Sequence, residues 1–401
     1  MKKLLLFLAI TSLLFVSCKD ETEPIDTPDP TVAPANYTFL RDNETAVSYS
    51  GQTQRIAMGQ ELINAMKEET TSLTALQKMF DHQEGSNDFT DAGNLGLNAS
   101  SKSVRGKTAA STDLFSANST DATAIKQEFD SWIASQVSDV FPEWNNDASA
   151  GMAGKIQEAG GGSTRYVNGK GLELNQAVNK ALIGGLMTDQ MLNNYLGTAV
   201  LDAGSNVADN DAGILAEGKN YTTMEHKWDE GFGYLYGADN QSNPTLGADS
   251  FLNKYLSRVE GDSDFAGIAA TIYDAFKLGR AAIVNLDYIT RDEQVDIIRE
   301  NVSKVIAVRA IYYLQGGKAN LGSDWASAFH DLSEGFGFVY SLQFTRKPGS
   351  NTAYFTKSEV DAFLTQLMAG NGFWDVSSTT LDDISETIAV KFNITVAQAG
   401  N

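Results

Sequence analysis

The amino-acid sequence predicts a mostly α-helical protein, a duplicated helical bundle with a small irregular or β cap. Three observations carry this. Apolar residues recur at roughly 3.6-residue spacing along most of the chain. Strand-like alternation is sparse. A segment around His226 also returns, 104 residues later, around His330, as an internal repeat would.

The elements follow in order. Lys2 and Lys3 give a basic start, Leu4 to Val16 an apolar stretch, and Ser17 a small residue before Cys18. That order reads as a secretory leader over residues 1–18, its apolar part too short for a permanent membrane span. Residues 19–36 carry Pro24, Pro28, Pro30 and Pro34 and predict a flexible, extended tether. Short alternating pieces around residues 37–51 fit a small strand or irregular cap. From about Gln54, Ile56, Leu62, Ile63 and Met66 share a helix face, continued by Leu73, Leu76, Met79 and Phe80. Residues 81–121 are rich in Ser, Asn, Asp and Gly and predict a long surface excursion. His82 reads as a surface histidine at a helix end. A helix resumes near Thr123 on Ile125, Phe129, Trp132 and Ile133.

The stretch 145–171 is glycine-rich. It has no strand before it and no Gly-Lys-Ser/Thr, which argues against a phosphate loop. Residues 172–196 predict one long helix. Further helices are expected over 249–259, 264–287, 291–315, 325–343, 357–369 and 381–394. Ser358-Glu359 and Thr380 to Asp383 supply N-terminal capping chemistry. The first helical half is placed at 37–215 and the second at 216–401, packed as one globular unit.

Composition narrows the function. The formal charge is −21, and removal of Lys2 and Lys3 makes it −23. Such a charge argues against nucleic acid as a partner. Cys18 is the one cysteine. Internal disulfides, thiolate metal sites, iron–sulfur clusters and cysteine catalysis are therefore excluded. Histidine chemistry is confined to His82, His226 and His330.

The repeated segments read His-x-x-x-Glu-Gly-Phe-Gly-aromatic-aliphatic-Tyr, over His226 to Tyr236 and His330 to Tyr340. On a helix, i and i+4 share a face. His226 can thus converge with Glu230, and His330 with Glu334, while Asp229 can join the first pair. Imidazole with carboxylate suits a divalent metal such as Fe or Zn. The same pairs also serve as hydrogen-bonded bridges between helices. Neither segment is a His-Glu-x-x-His zinc-protease motif, and no Gly-x-Ser-x-Gly nucleophile elbow occurs. The glycines after each Glu cost about 1 kcal/mol each in helix propensity. A close helix approach or a local break is expected there.

The segment Leu14-Phe15-Val16-Ser17-Cys18 resembles a bacterial lipobox, which implies lipidation of Cys18. The following Lys19-Asp20-Glu21-Thr22-Glu23 is similar to the acidic tract of surface-exposed Bacteroidetes-type lipoproteins. The repeated segments, Val47 to Arg55, and Glu173 to Gly185 resemble the DUF4856 family of Bacteroidetes lipoproteins over roughly residues 37–400. That family looks related to the imelysins, duplicated helical bundles associated with iron uptake that carry a Gly-x-His-x-x-Glu motif. Here His226 has Met224 in the glycine place and Asp229 three residues on. His330 has Ser333 at that place, with Glu334 one later. Both copies depart from the imelysin pattern.

The expectation is a lipid-anchored outer-membrane protein, periplasmic or cell-surface, that binds a ligand in iron or other divalent-metal acquisition. His226, Asp229, Glu230, His330 and Glu334 are the candidate metal residues. The lipid bilayer, through acylated Cys18, and an outer-membrane uptake receptor are the expected partners. A structural or interaction role and a metal-dependent hydrolase are the alternatives, with enzymatic activity the less favoured reading.

Overall fold

The computed structural model describes residues 30–239 and 241–401. Cys18, the leader and most of the tether lie outside the described residues. Thr31–Asn401 forms one compact unit. The end of the expected tether is tied to it. Thr31 Oγ1 donates to Asp287 at 3.1 Å, and the Ala35 carbonyl accepts from Lys277 Nζ at 3.1 Å.

The architecture is mostly helical, as the periodicity predicts. A two-residue hairpin, β1 (Leu40–Arg41) and β2 (Glu44–Thr45), forms the cap. Helices α1 (Ser50–Ala65), α2 (Leu73–Phe80), α3 (Val104–Lys107), α4 (Thr112–Phe115) and α5 (Ser119–Ser135) follow. After an antiparallel hairpin, β3 (Gly154–Gln157) and β4 (Thr164–Val167), come α6 (Leu174–Leu182), α7 (Thr198–Leu201), α8 (Asn206–Asp211) and α9 (Thr223–Tyr236). The last stretch holds α10 (Leu252–Glu260), α11 (Ile268–Val284), α12 (Tyr288–Asn320), α13 (Trp325–Ser341), α14 (Lys357–Leu367), α15 (Ser378–Phe392) and α16 (Val396–Ala399).

The spine is α12, 33 residues long and so roughly 50 Å at 1.5 Å per residue. Val295, Ile298, Val302, Val305, Ile306 and Ile311 are buried along it. Helices α11, α13 and α15 pack on this spine. Helix α13 also packs on α6, and α9 packs on α1 and α11.

Four local expectations need correction. The stretch 81–121 is not a surface excursion throughout, since it carries α3 and α4 and buries Leu97, Val104 and Ala109. The glycine-rich stretch holds the β3–β4 hairpin, with Tyr166 stacked on Trp144 at 3.5 Å between ring centroids. Four-residue strands are too short to show an alternation. The helix expected over 172–196 is α6 continued by two π-helical turns, Ile183–Thr188 and Met191–Tyr195. His82 is not a surface residue. It is 3 % exposed, and its Nδ1 lies 2.6 Å from Asp88 Oδ2. The loop after α2 folds back over it, with Phe89 against its ring.

The repeat is visible in the packing. The second glycine of each Glu-Gly-Phe-Gly marks a helix crossing, and neither helix breaks there. A Cβ on Gly233 of α9 would lie 2.5 Å from Tyr49 Cβ and 3.0 Å from Gln52 Cβ of α1. One on Gly337 of α13 would collide with Lys180 Cβ of α6 and lie 2.9 Å from the Ala177 carbonyl oxygen. Two residues after each histidine the match continues. Trp228 lies against Gly279 of α11, and Leu332 against Gly317 of α12, with no room for a methyl group at either glycine.

Such crossings tolerate no added volume. Gly337→Ala is expected to lower stability by about 1–3 kcal/mol. Gly335→Ala, whose Cβ would meet Tyr313 Cβ at 3.3 Å, should lose distinctly less. Urea denaturation of the two variants checks the order.

Candidate functional site

The first copy of the motif lies on α9. Thr222 and Glu225 form a capping box that starts the helix. The His226 Nδ1 faces the Ser48 carbonyl oxygen at 3.0 Å, and its ring stacks on Tyr221 at 4.7 Å. A carbonyl only accepts, so Nδ1 carries the proton and Nε2 points toward Glu230. Nε2 is 3.9 Å from Glu230 Oε2, beyond hydrogen-bond length. Glu230 is instead held by Lys227 Nζ at 2.8 Å and Gln52 Nε2 at 3.2 Å. Burial pulls the His226 imidazole below its ordinary pKa, the Glu230 charge opposing.

Asp229 does not join this pair. It is fully buried and accepts from Tyr37 Oη at 2.7 Å, Arg280 Nε at 3.1 Å and the Ser48 amide at 3.2 Å. Arg280 also reaches Glu225 at 3.0 Å, and Arg41 binds Glu225 from the cap. Burial pushes the Asp229 carboxyl up to about 6 against the pull of Arg280. This network fastens the cap to α9 and α11.

The second copy lies on α13, started by Asp324, whose side chain accepts from the Ser327 amide. His330 Nδ1 is 2.9 Å from Glu173 Oε1, and its Nε2 is 3.5 Å from Glu334 Oε1. Glu334 accepts from Tyr255 Oη of α10 at 3.0 Å and pairs with Lys180 Nζ of α6 at 3.1 Å. Burial opposes its ionisation, yet Lys180 and His330 outweigh burial and hold its carboxyl at about 2. Lys180 thus occupies in the second copy the place of Gln52 in the first. Each reaches the motif glutamate from the helix that its glycine admits.

The copies differ in access. A cleft of about 950 Å³ opens between α10, α12 and α13, and Arg309, Tyr312, Tyr313, His330, Asp331 and Glu334 line it. The motif residues of α9 do not line this cleft. Asp331 has no hydrogen-bond or ion-pair partner among the described residues. Burial pushes its carboxyl up to about 6, with His330 opposing and Glu334 reinforcing the shift.

The five candidate metal residues therefore do not converge into one constellation. His226 and Glu230 stand side by side on α9, Asp229 belongs to the Arg280 network, and His330 and Glu334 belong to the cleft. Among the described residues no group of three or more His, Cys, Asp or Glu side chains is placed to hold a metal ion. The donor set fits a bare cation poorly, because Lys180 already sits on the Glu334 oxygen nearest His330. Glu173, Lys180, Tyr255 and Arg309 are missed by sequence reasoning. The first two lie in the stretch that carries the family resemblance, and only tertiary pairing reveals the others.

The family described as Domain of unknown function (DUF4856) matches residues 34–395. No curated protein and no solved structure matches the chain.

Removing the Glu334 charge leaves Lys180 buried without its carboxylate. Glu334→Gln is expected to lower stability by about 3–5 kcal/mol at neutral pH, read by urea denaturation. A carboxylate held below its unfolded pKa stabilises the fold above that pKa and loses its contribution as pH falls. The gap between the two proteins should therefore shrink as pH drops from about 4.5 toward 2.

Proposed function

The chain belongs to the DUF4856 family, and from that premise we propose that it is a lipid-anchored envelope protein that captures a small polar ligand. The carrying observation is the cleft beside His330. It is large enough for a small molecule, and polar groups converge in it. His330 is oriented by Glu173 through Nδ1, an arrangement that fixes the tautomer and directs Nε2. Asp331 offers an acceptor with no internal partner. The leader and Cys18 support export and acylation, and acyl chains hold a protein to the bilayer through about 0.8 kcal/mol per buried CH2.

Iron or other divalent-metal acquisition is the finer form of this reading. The donor set favours an ion that arrives within its own chelator over a bare one, since Lys180 competes for Glu334. A second reading has a specific observation in its favour. Glu334 ties α13 to α6 and α10, as a purely architectural bridge would. On that reading the chain is a scaffold or interaction protein of the outer membrane.

Native mass spectrometry of the full chain, extracted from its own membrane, tests the proposal. One bound small molecule per chain is expected. His330→Ala combined with Asp331→Asn should reduce its occupancy by about tenfold, as the loss of charged hydrogen bonds implies. His226→Ala should leave it unchanged. Elemental analysis of the same samples reports whether Fe or Zn travels with the ligand. A chain that carries nothing, and melts much lower as His330→Ala, would favour the architectural reading.

A further inference from the structure

Arginine is buried repeatedly in this protein, and its usual partners are plain. Arg280 pairs with Asp229 and Glu225, Arg291 with Asp202 and Asp292, and Arg346 with Asp113. Arg55 has no carboxylate but donates to the Ser103 and Gly51 carbonyls, whereas Arg309 has neither kind of partner. It is 6 % exposed, yet no carboxylate lies within ion-pair distance among the described residues. Its Nε is buried without a hydrogen-bond partner. The side chain stands on α12 and forms part of the cleft wall.

Its setting is rigid and aromatic. The guanidinium carbon lies 3.9 Å from the Tyr312 ring centroid and 4.5 Å from that of Tyr313. Stacking of this kind fixes the plane of the group, whose polar neighbour is the Tyr313 hydroxyl rather than a carboxylate. No acid of the cleft forms an ion pair with it, although Asp331 is near enough for the two charges to attract. Glu334 has its oxygens on Lys180 and Tyr255, and Asp331 makes no ion pair with Arg309. A buried cation left without a partner is strongly unfavourable. Buried polar groups without partners are uncommon enough to need a reason.

We propose that Arg309 is the oxyanion-receiving group of this cleft. The partner missing from the fold is supplied by the ligand, which is a small organic acid bound through a carboxylate. Planar carboxylate matches the guanidinium fork in two parallel hydrogen bonds. Asp331, an open acceptor in the same cleft, selects ligands that carry a hydroxyl or ammonium group beside the acid. The inference rests on the cleft being the capture site, and it adds the chemical class of what is captured.

Thermal melting of the full chain tests it. Succinate, citrate and inorganic phosphate are each titrated at constant ionic strength, with chloride as the reference. A saturable rise of roughly a few degrees is expected with succinate or citrate, since a ligand that binds the folded state stabilises it by mass action. The rise should vanish in Arg309→Gln, and unliganded Arg309→Gln should melt no lower than the parent. A rise confined to phosphate and lost in Arg309→Gln would keep the oxyanion role and overturn the carboxylate assignment. A rise of equal size in Arg309→Gln, or no rise with any of the three, would overturn the proposal. If Arg309→Gln does not fold, Arg309→Lys decides. It keeps the charge without the fork, and an undiminished rise there would overturn the proposal as well. Failure here is separable from failure of the cleft, because a molecule bound in native mass spectrometry would still report a ligand held by other groups.

Discussion

At the crossing of α13 and α6, Gly337 leaves room for the Lys180 side-chain root and the Ala177 carbonyl. The ammonium of Lys180 can then reach Glu334, one turn N-terminal to the glycine and 3.1 Å away. Glu334 in turn holds Tyr255 of α10. One close approach thus sets the distance between helices, permits a buried charge to exist, and places the inner wall of the cleft. The ion pair is weak evidence of stability in itself, since desolvation opposes it. Its consequence is geometric, because neither charge can move away without stranding the other.

The first copy uses the same construction with a milder partner. Gly233 admits α1, and Gln52 meets Glu230 through an amide rather than an ammonium. The cation there, Lys227, comes from α9 itself. Strong burial has shifted instead to Asp229 and Arg280, one residue earlier, where the cap is fastened. The two copies of the motif therefore differ in what they secure. One copy locks the N-terminal cap onto the bundle, and the other frames an opening.

The helices from α10 to α15 were legible because each has a continuous apolar stripe and, in several cases, a capping residue at its start. That the motif glycines have a structural reason was legible too, since glycine inside a helix costs propensity, but the choice between a close approach and a break was not. Nor were the π-helical turns after α6. They change the hydrogen-bond register without erasing the apolar face, and Ile183, Leu186 and Met187 read as ordinary helix. Within the site, the i,i+4 pairing of His with Glu could be read from spacing alone. The partners could not. Glu173 lies 157 residues from His330, and nothing in a local pattern states which helices become neighbours. Asp229 shows the same limit in reverse. Its spacing put it beside His226, but its burial against Arg280 came from α11.

The acidity of the chain gives the remaining contrast its meaning. In a protein of net charge −21, a buried guanidinium has many carboxylates from which a partner could have been drawn. Arg280, Arg291 and Arg346 each have one. Arg309 is walled by tyrosines instead, which hold its orientation without neutralising its charge. Asp331 and Glu334 lie along the same cleft, one without a partner and the other fully engaged. Had neutralisation been the only requirement, an acid one turn away on α12 would have met it. A cation kept flat and without an ion pair, beside an acceptor that also lacks one, is an arrangement suited to a ligand that brings the complementary groups itself.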